Sequence, residues 1–166
     1  MESSLKSNFL IIDPQARGHA LSYLLAQSDD VGCVYLSRHS PLPDIGVSKI
    51  IPVYWLEELL PEAYPEIIAF CHSAEIHCVI VGTADAMAMG LVDSLGAANI
   101  LVVGANKKAL RLESSKSFAK AFFHRYAIPT PLYQTYSSID GIEALEDVIF
   151  PCFIKSDQII RSHYSL

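Results

Sequence analysis

Arg17 and His19 stand two residues apart, just beyond the apolar run Phe9–Ile12. They fall on the first turn after a strand, where open α/β sheets receive ligands and a guanidinium and an imidazole are placed to meet an anionic one. The bland alternative is an exposed first-turn arginine and a histidine packed under the loop. Two lysines invite the same question. Lys116 lies in Leu112-Glu113-Ser114-Ser115-Lys116-Ser117-Phe118-Ala119-Lys120, and Lys155 in Phe153-Ile154-Lys155-Ser156-Asp157. Each is an ammonium point charge, or else a solvated helix residue and the end of a strand. Cys71-His72 and His77-Cys78 form a near-symmetric pair that suggests zinc. Their spacing is no recognised finger pattern, and Cys78 opens a strand where a small apolar residue belongs, so no metal site is expected. Ser114 and Ser115 precede a helix, where serine caps the end, and no G-x-S-x-G elbow is present, so a hydrolase is set aside.

These residues need a frame. Phe9–Ile12, Cys33–Leu36, Lys49–Val53, Cys78–Val81 and Ile100–Val103 read as strands, and the runs are continuous rather than alternating. Helical spacing over Gly18–Gln27, Pro65–Ser73 and Ala84–Leu95, the last stopped by Gly96, separates them. The stretch Pro52–Pro65 fits strand, turn or short helix. Continuous apolar strands alternating with helices predict a doubly wound parallel sheet, α/β, covered on both faces. Ligands of such sheets bind where strands hand over to helices, here Asp13–His19, Ser37–His39, Gly82–Asp85 and Gly104–Asn106. After Lys107 the pattern changes to a short helix from Leu110 and a second one capped by Ser114 or Ser115 and running to about Tyr126. Ile128-Pro129-Thr130-Pro131 breaks it. A strand (Leu132–Thr135), a short helix (Ile139–Asp147) and a final strand (Cys152–Lys155) complete a short α+β extension. The expected division is 1–108 and 109–166.

At 166 residues and 51% hydrophobic, the chain can bury a sizeable core. Net charge is −6 and only Lys107-Lys108 are adjacent cations, which argues against nucleic acid or an anionic membrane as partner. Phe9–Ile12 is too short for a signal peptide or a membrane span, and the four cysteines show no C-x-x-C pair. A cytoplasmic protein with reduced thiols is expected.

Read in order, the landmarks resemble phosphoribosylamine–glycine ligase, an ATP-grasp enzyme family of purine synthesis. Arg17-Gly18-His19-Ala20-Leu21 is similar to the family's R-E-H-A-L, and Val81-Gly82…Gly90-Leu91-Val92-Asp93 to its V-G-P-E-A-P-L-x-x-G-I-V-D. Gly104-Ala105-Asn106 stands at G-P-T. Leu112–Lys120 is close to L-E-G-S-K-x-F-A-K, Ile128-Pro129-Thr130 matches I-P-T, and Phe153–Asp157 sits on V-x-K-A-D. The resemblance covers nearly the whole chain. It implies a Rossmann-like pre-ATP-grasp domain (1–108) followed by the truncated beginning of an ATP-grasp domain (109–166). It also implies ATP and Mg as family cofactors, Lys116 and Lys155 as contacts to ATP phosphates, and Arg17, His19, Gly82, Asp85 and Gly104 as substrate-binding candidates. The glycine-rich nucleotide loop and metal carboxylates are expected beyond Asp157, where only Gln158–Leu166 follow, so this chain alone is expected to bind no cofactor.

The departures are specific. A first turn that approaches an anion should be glycine-rich, yet it reads Asp13-Pro14-Gln15-Ala16, with a negative charge and a residue lacking N–H. The family's P-G-N-A-G is Arg38-His39-Ser40-Pro41-Leu42. Its G-P-E-A-P is Gly82-Thr83-Ala84-Asp85-Ala86, and the one-place offset of the acid rotates its side chain by roughly 100°. Three functions compete. The first is a ligase-like chain of purine synthesis, inactive alone. The second is a non-catalytic α/β module for a small ligand or a partner, with an edge strand near Cys152–Ile154 that invites dimerisation or pairing with another chain. The third, a response-regulator receiver, lacks the phosphorylatable aspartate at its third strand, Lys49–Val53.

Overall fold

The computed structural model describes residues 6–38, 46–54, 60–136 and 151–157. The chain divides into two compact units, Met1–Leu110 and Arg111–Leu166. The first unit carries five strands: β1 (Ser7–Ile12), β2 (Val31–Arg38), β3 (Ile50–Tyr54), β4 (Ile76–Val81) and β5 (Val102–Val103). All neighbours pair in parallel, in the order β3-β2-β1-β4-β5. This is the doubly wound α/β architecture expected from the continuous apolar runs. A receiver has the order 2-1-3-4-5 instead, so the topology removes that reading.

Helices α1 (Ala16–Ala26), α2 (Tyr64–Ser73), α3 (Ala84–Met89) and α4 (Leu91–Ala97) connect the strands, with a 3-10 turn at Pro61–Ala63 before α2. One face of the sheet packs Leu10, Ile12, Val79 and Val81 against α2, α3 and α4. The other sets Ile11, Val34 and Leu36 against α1. Helix α1 turns Gly18, Ser22 and Ala26 inward, a small-residue face that lets it lie close to the sheet. The buried Ser22 hydroxyl is satisfied within the helix by the Gly18 carbonyl at 2.7 Å. Where the β1 register shifts near Ser7, Asn8 supplies the missing bonds. Its amide donates to the Ala74 carbonyl at 3.0 Å and accepts from the Cys33 N–H at 3.0 Å.

Two sequence expectations change here. The single helix Ala84–Leu95 is two helices, because Gly90 takes a left-handed conformation (φ 95°, ψ 19°) and ends α3 where α4 begins. Gly96, expected as the stop, lies inside α4. Of the ambiguous segment, residues 55–59 lie outside the described residues.

In the second unit, α5 (Lys107–Ser114), which starts in the first, is followed by α6 (Lys116–Arg125). Ser115 is the N-cap of α6 and accepts from the Phe118 N–H at 3.2 Å. The strands expected at Leu132–Thr135 and Cys152–Lys155 do not form; both segments are irregular. Strand-like composition needs a paired neighbour to become a strand, and no ladder reaches either segment among the described residues. The edge strand expected near Cys152–Ile154 is therefore irregular chain, and the helix expected at Ile139–Asp147 lies outside the described residues.

Candidate functional site

Strand β1 leads through β2 to β3 on one side, and β4 starts on its other side. The crevice at the carboxyl ends of β1 and β4 is the switch point at which open α/β sheets receive ligands. Asp13 follows β1 there and Gly82 follows β4. Asp13 is 3% exposed, a carboxylate inside the crevice. It accepts from Arg17 Nε at 2.9 Å and from the Gln15 backbone N–H at 3.0 Å. Arg17 Nη2 then donates to the Gly82 carbonyl at 2.8 Å. One guanidinium thus bridges the exits of both strands.

The neighbouring glycines are explained by this clasp. A Cβ on Gly18 would strike the Asp13 carbonyl, and one on Gly82 would strike the Asp13 carboxylate. They leave space for Asp13. Beside the clasp runs an open cavity of about 180 Å³ lined by Ile11, Leu21 and Ile80 as well as Asp13, Arg17, Gly18 and Gly82. An anion entering the switch point meets a carboxylate, a proline without N–H and an arginine already engaged. The arrangement is the opposite of the amide-lined, uncharged turn that holds phosphate.

Of the other predicted residues, His19 is half-buried on α1, and its backbone N–H bonds the Gln15 carbonyl at 3.3 Å. Asp85 is exposed in the first turn of α3, two residues past the N-cap Thr83. Gly104 serves packing: a Cβ there would stand 3.0 Å from Val92 Cγ2 and 3.3 Å from the Val81 carbonyl. The structure therefore gathers Arg17 and Gly82 around a residue, Asp13, that sequence reasoning had placed near the site only as an unfavourable charge. The signal for its true partner was the Asp–Arg spacing of four.

Within the second unit, Lys116 is the exposed first residue of α6, and Lys155 is exposed with its ammonium 5.8 Å from the Phe153 ring centre. Their segments meet through Asp157. Its carboxylate accepts from the Ser117 N–H at 2.6 Å, the Ser117 hydroxyl at 2.8 Å and the Ser115 hydroxyl at 3.2 Å. The Ser117 N–H, then its hydroxyl, hold the Asp157 carboxyl below the ordinary aspartate value, against a smaller opposing effect of desolvation. The free N–H groups of α6 and its dipole favour such an anion. Lys120, also unassigned by sequence, ties α6 to the Ile128–Pro131 segment by donating to Thr130 Oγ1 at 2.6 Å and the Pro131 carbonyl at 3.0 Å.

No group of three or more potential metal ligands occurs among the described residues. Cys71 and Cys78 are buried, and burial pushes the Cys71 thiol up to about 11 and the Cys78 thiol up as well. Neutral thiols in an apolar core are poor metal ligands.

The sheet order and its switch point define a Rossmann-like α/β domain. Residues 7–113 match the family described as phosphoribosylglycinamide synthetase, N domain, and the chain belongs to that family. It is 36% identical over 149 residues to phosphoribosylamine–glycine ligase of Neisseria meningitidis serogroup B, covering 89% of this chain and 34% of the relative. The corresponding ligase of Helicobacter pylori is 30% identical, with coverages of 94% and 35%. The trifunctional purine biosynthetic protein adenosine-3 of Chironomus tentans is 36% identical, with coverages of 81% and 10%. The chain thus spans about a third of the length of the ligases it matches. Among solved structures, the biotin carboxylase domain of a single-chain bacterial carboxylase aligns over 84% of this chain and 34% of its own, with a TM-score of 0.59 at 13% identity. That likeness concerns the fold alone. No helix among the described residues is long and apolar enough to cross a membrane.

Proposed function

We propose that this chain is the N-terminal module of a phosphoribosylamine–glycine ligase-type protein of purine biosynthesis, catalytically silent by itself. The family reaction joins glycine to phosphoribosylamine with ATP and Mg, and it requires preorganised cations around the transferring phosphoryl group. The observation that carries the reading is the Asp13–Arg17–Gly82 clasp within a domain of this family. The place where a phosphorylated substrate would dock is filled by the chain's own carboxylate. Lys116 and Lys155 remain as candidate contacts to ATP phosphates, and they act only where another segment or chain supplies the rest of a nucleotide site. Four free cysteines accord with a reducing, cytoplasmic setting.

The test uses the 166-residue chain directly. With phosphoribosylamine, glycine and Mg-ATP it forms no ADP above background, and calorimetry shows no saturable Mg-ATP binding tighter than about 1 mM. Turnover, or saturable binding below that limit, refutes the silent-module reading. The clasp accords equally with a second reading, a non-catalytic α/β module that binds a small ligand or a partner.

A further inference from the structure

The second unit ties together two segments that lie far apart in the chain. Ser117 and Asp157 are separated by 40 residues, and one carboxylate joins them. Asp157 accepts from the Ser117 N–H at 2.6 Å, the Ser117 hydroxyl at 2.8 Å and the Ser115 hydroxyl at 3.2 Å. After the Ser117 groups and Ser115, the Lys116 N–H also favours the ionised carboxyl. Residues 151–157, which carry Asp157, are irregular and exposed, with Phe153 at 93% and Ile154 at 85%. Neither a strand ladder nor apolar burial fixes this segment among the described residues. A side chain with several polar partners in an unburied segment anchors the chain rather than packing it.

What the anchor carries is Lys155. Its ammonium lies 5.8 Å from the Phe153 ring centre, as residues two apart do when they share one side of an extended run. Continued by one step, that period sets Lys155 on the side of Asp157, facing the end of α6. Two residues of extended chain span about 7 Å, and Lys116 adjoins Ser117 at about 3.8 Å between Cα atoms. Two four-carbon lysine stems together cover that separation. Like charges brought side by side repel, and the carboxylate between their points of attachment offsets the repulsion. We propose that Asp157 is a positioning residue: by closing on Ser115 and Ser117 it sets Lys155 beside Lys116, so that two ammonium groups address one polyphosphate. That role rests on the reading of both lysines as phosphate contacts. Asp157 itself touches no ligand, because its carboxylate is spent on α6.

Two measurements on the 166-residue chain test the role. Difluorodinitrobenzene bridges two amines across a single ring, and peptide mass spectrometry of the treated protein shows a Lys116–Lys155 crosslink. Asp157→Asn keeps that crosslink, because the amide oxygen still accepts from the Ser117 N–H. Asp157→Ala reduces it several-fold with circular dichroism unchanged, while the crosslink from Lys116 to Lys120, one turn along α6, stays constant. Inorganic tripolyphosphate at about 10 mM, in the weak-binding range, moves the NMR amide signals of both lysines. In Asp157→Ala the Lys155 shift is lost and the Lys116 shift remains; Asp157→Asn restores both. A Lys116–Lys155 crosslink absent from the wild type, or equal in wild type and Asp157→Ala, overturns the positioning role whatever tripolyphosphate does. An Asp157-dependent crosslink with no tripolyphosphate shift at either lysine refutes the phosphate contacts instead, and the polyphosphate role falls with them. Shifts that grow in both variants also overturn the proposal, since Asp157 would then be a charge that repels the anion.

Discussion

Asp13 decides the character of the switch point, because it is a buried carboxylate whose partners all come from this chain. The glycines that tolerate it carry a testable consequence. Gly82→Ala drives a methyl group into the Asp13 carboxylate and lowers stability by about 1–3 kcal/mol. Asp13→Gly in the same chain removes the obstacle, so urea titration of the four proteins yields a coupling of about 1 kcal/mol or more. Additive effects would mean that the two residues do not meet. Asp157 makes a second prediction at this scale. Its folded value lies below the ordinary 3.8, so its link to α6 is fully present above the unfolded value. The link is lost as pH falls through the lower, folded value. A carboxyl NMR titration gives a midpoint below 3.8 in the wild type, and Ser117→Ala moves it upward. An unmoved midpoint removes the Ser117 hydroxyl from the cause. Sequence reading reached Arg17 and both lysines through motif positions. Asp13 and Asp157 escaped because a motif names residues without saying which side chains close on one another.

At the scale of elements, two glycines exchange the roles their sequence positions suggest. Gly96 follows a helical pattern and reads as a stop, but it sits inside α4 with open space where a Cβ would go. Gly90 reads as a helix-interior glycine and is the break, at φ 95°. Their alanine variants accordingly differ in sign. Gly90→Ala costs about 1–2 kcal/mol for a left-handed alanine. Gly96→Ala stabilises by about 0.5–1 kcal/mol through helix propensity and reduced freedom of the unfolded chain. Thermal melts that rank the two the other way would contradict the assigned break. The break exists because Ala86 and Met87 of α3 and Leu91, Val92 and Leu95 of α4 all seek the same face of the sheet. A straight helix would turn part of that set away. The cap of α6 was legible as Ser114 or Ser115, since both precede a run with Phe118 and Phe122 on helical spacing, and the structure selects Ser115. The strands at Leu132–Thr135 and Cys152–Lys155 were misread, because composition cannot show whether a neighbouring strand is present to pair with them.

For the whole molecule, the thiols report on the core. Cys71 lies in α2 and Cys78 in β4, both buried, whereas Cys152 is exposed. Raised by burial to about 11, the Cys71 thiol stays protonated at pH 8 as well as shielded. A disulfide reagent at that pH therefore modifies Cys152 rapidly, and Cys71 and Cys78 only at the rate of unfolding, read by mass spectrometry of peptides. Prompt labelling of Cys71 in native protein would mean that α2 does not pack as described. What the sequence by itself determined is the layered α/β architecture and the family. Continuous apolar strands between helices admit few other arrangements, and collinear motifs survive the loss of individual residues. Tertiary structure alone decided what the switch point holds and where the helical run Ala84–Leu95 breaks. The first depends on a carboxylate reaching a guanidinium and two Cβ-free positions, Gly18 in α1 and Gly82 after β4. The second depends on Ala86, Met87, Leu91, Val92 and Leu95 all entering one core cluster. Gly82 reaches Arg17 from 65 residues along the chain, and only packing in three dimensions sets that contact.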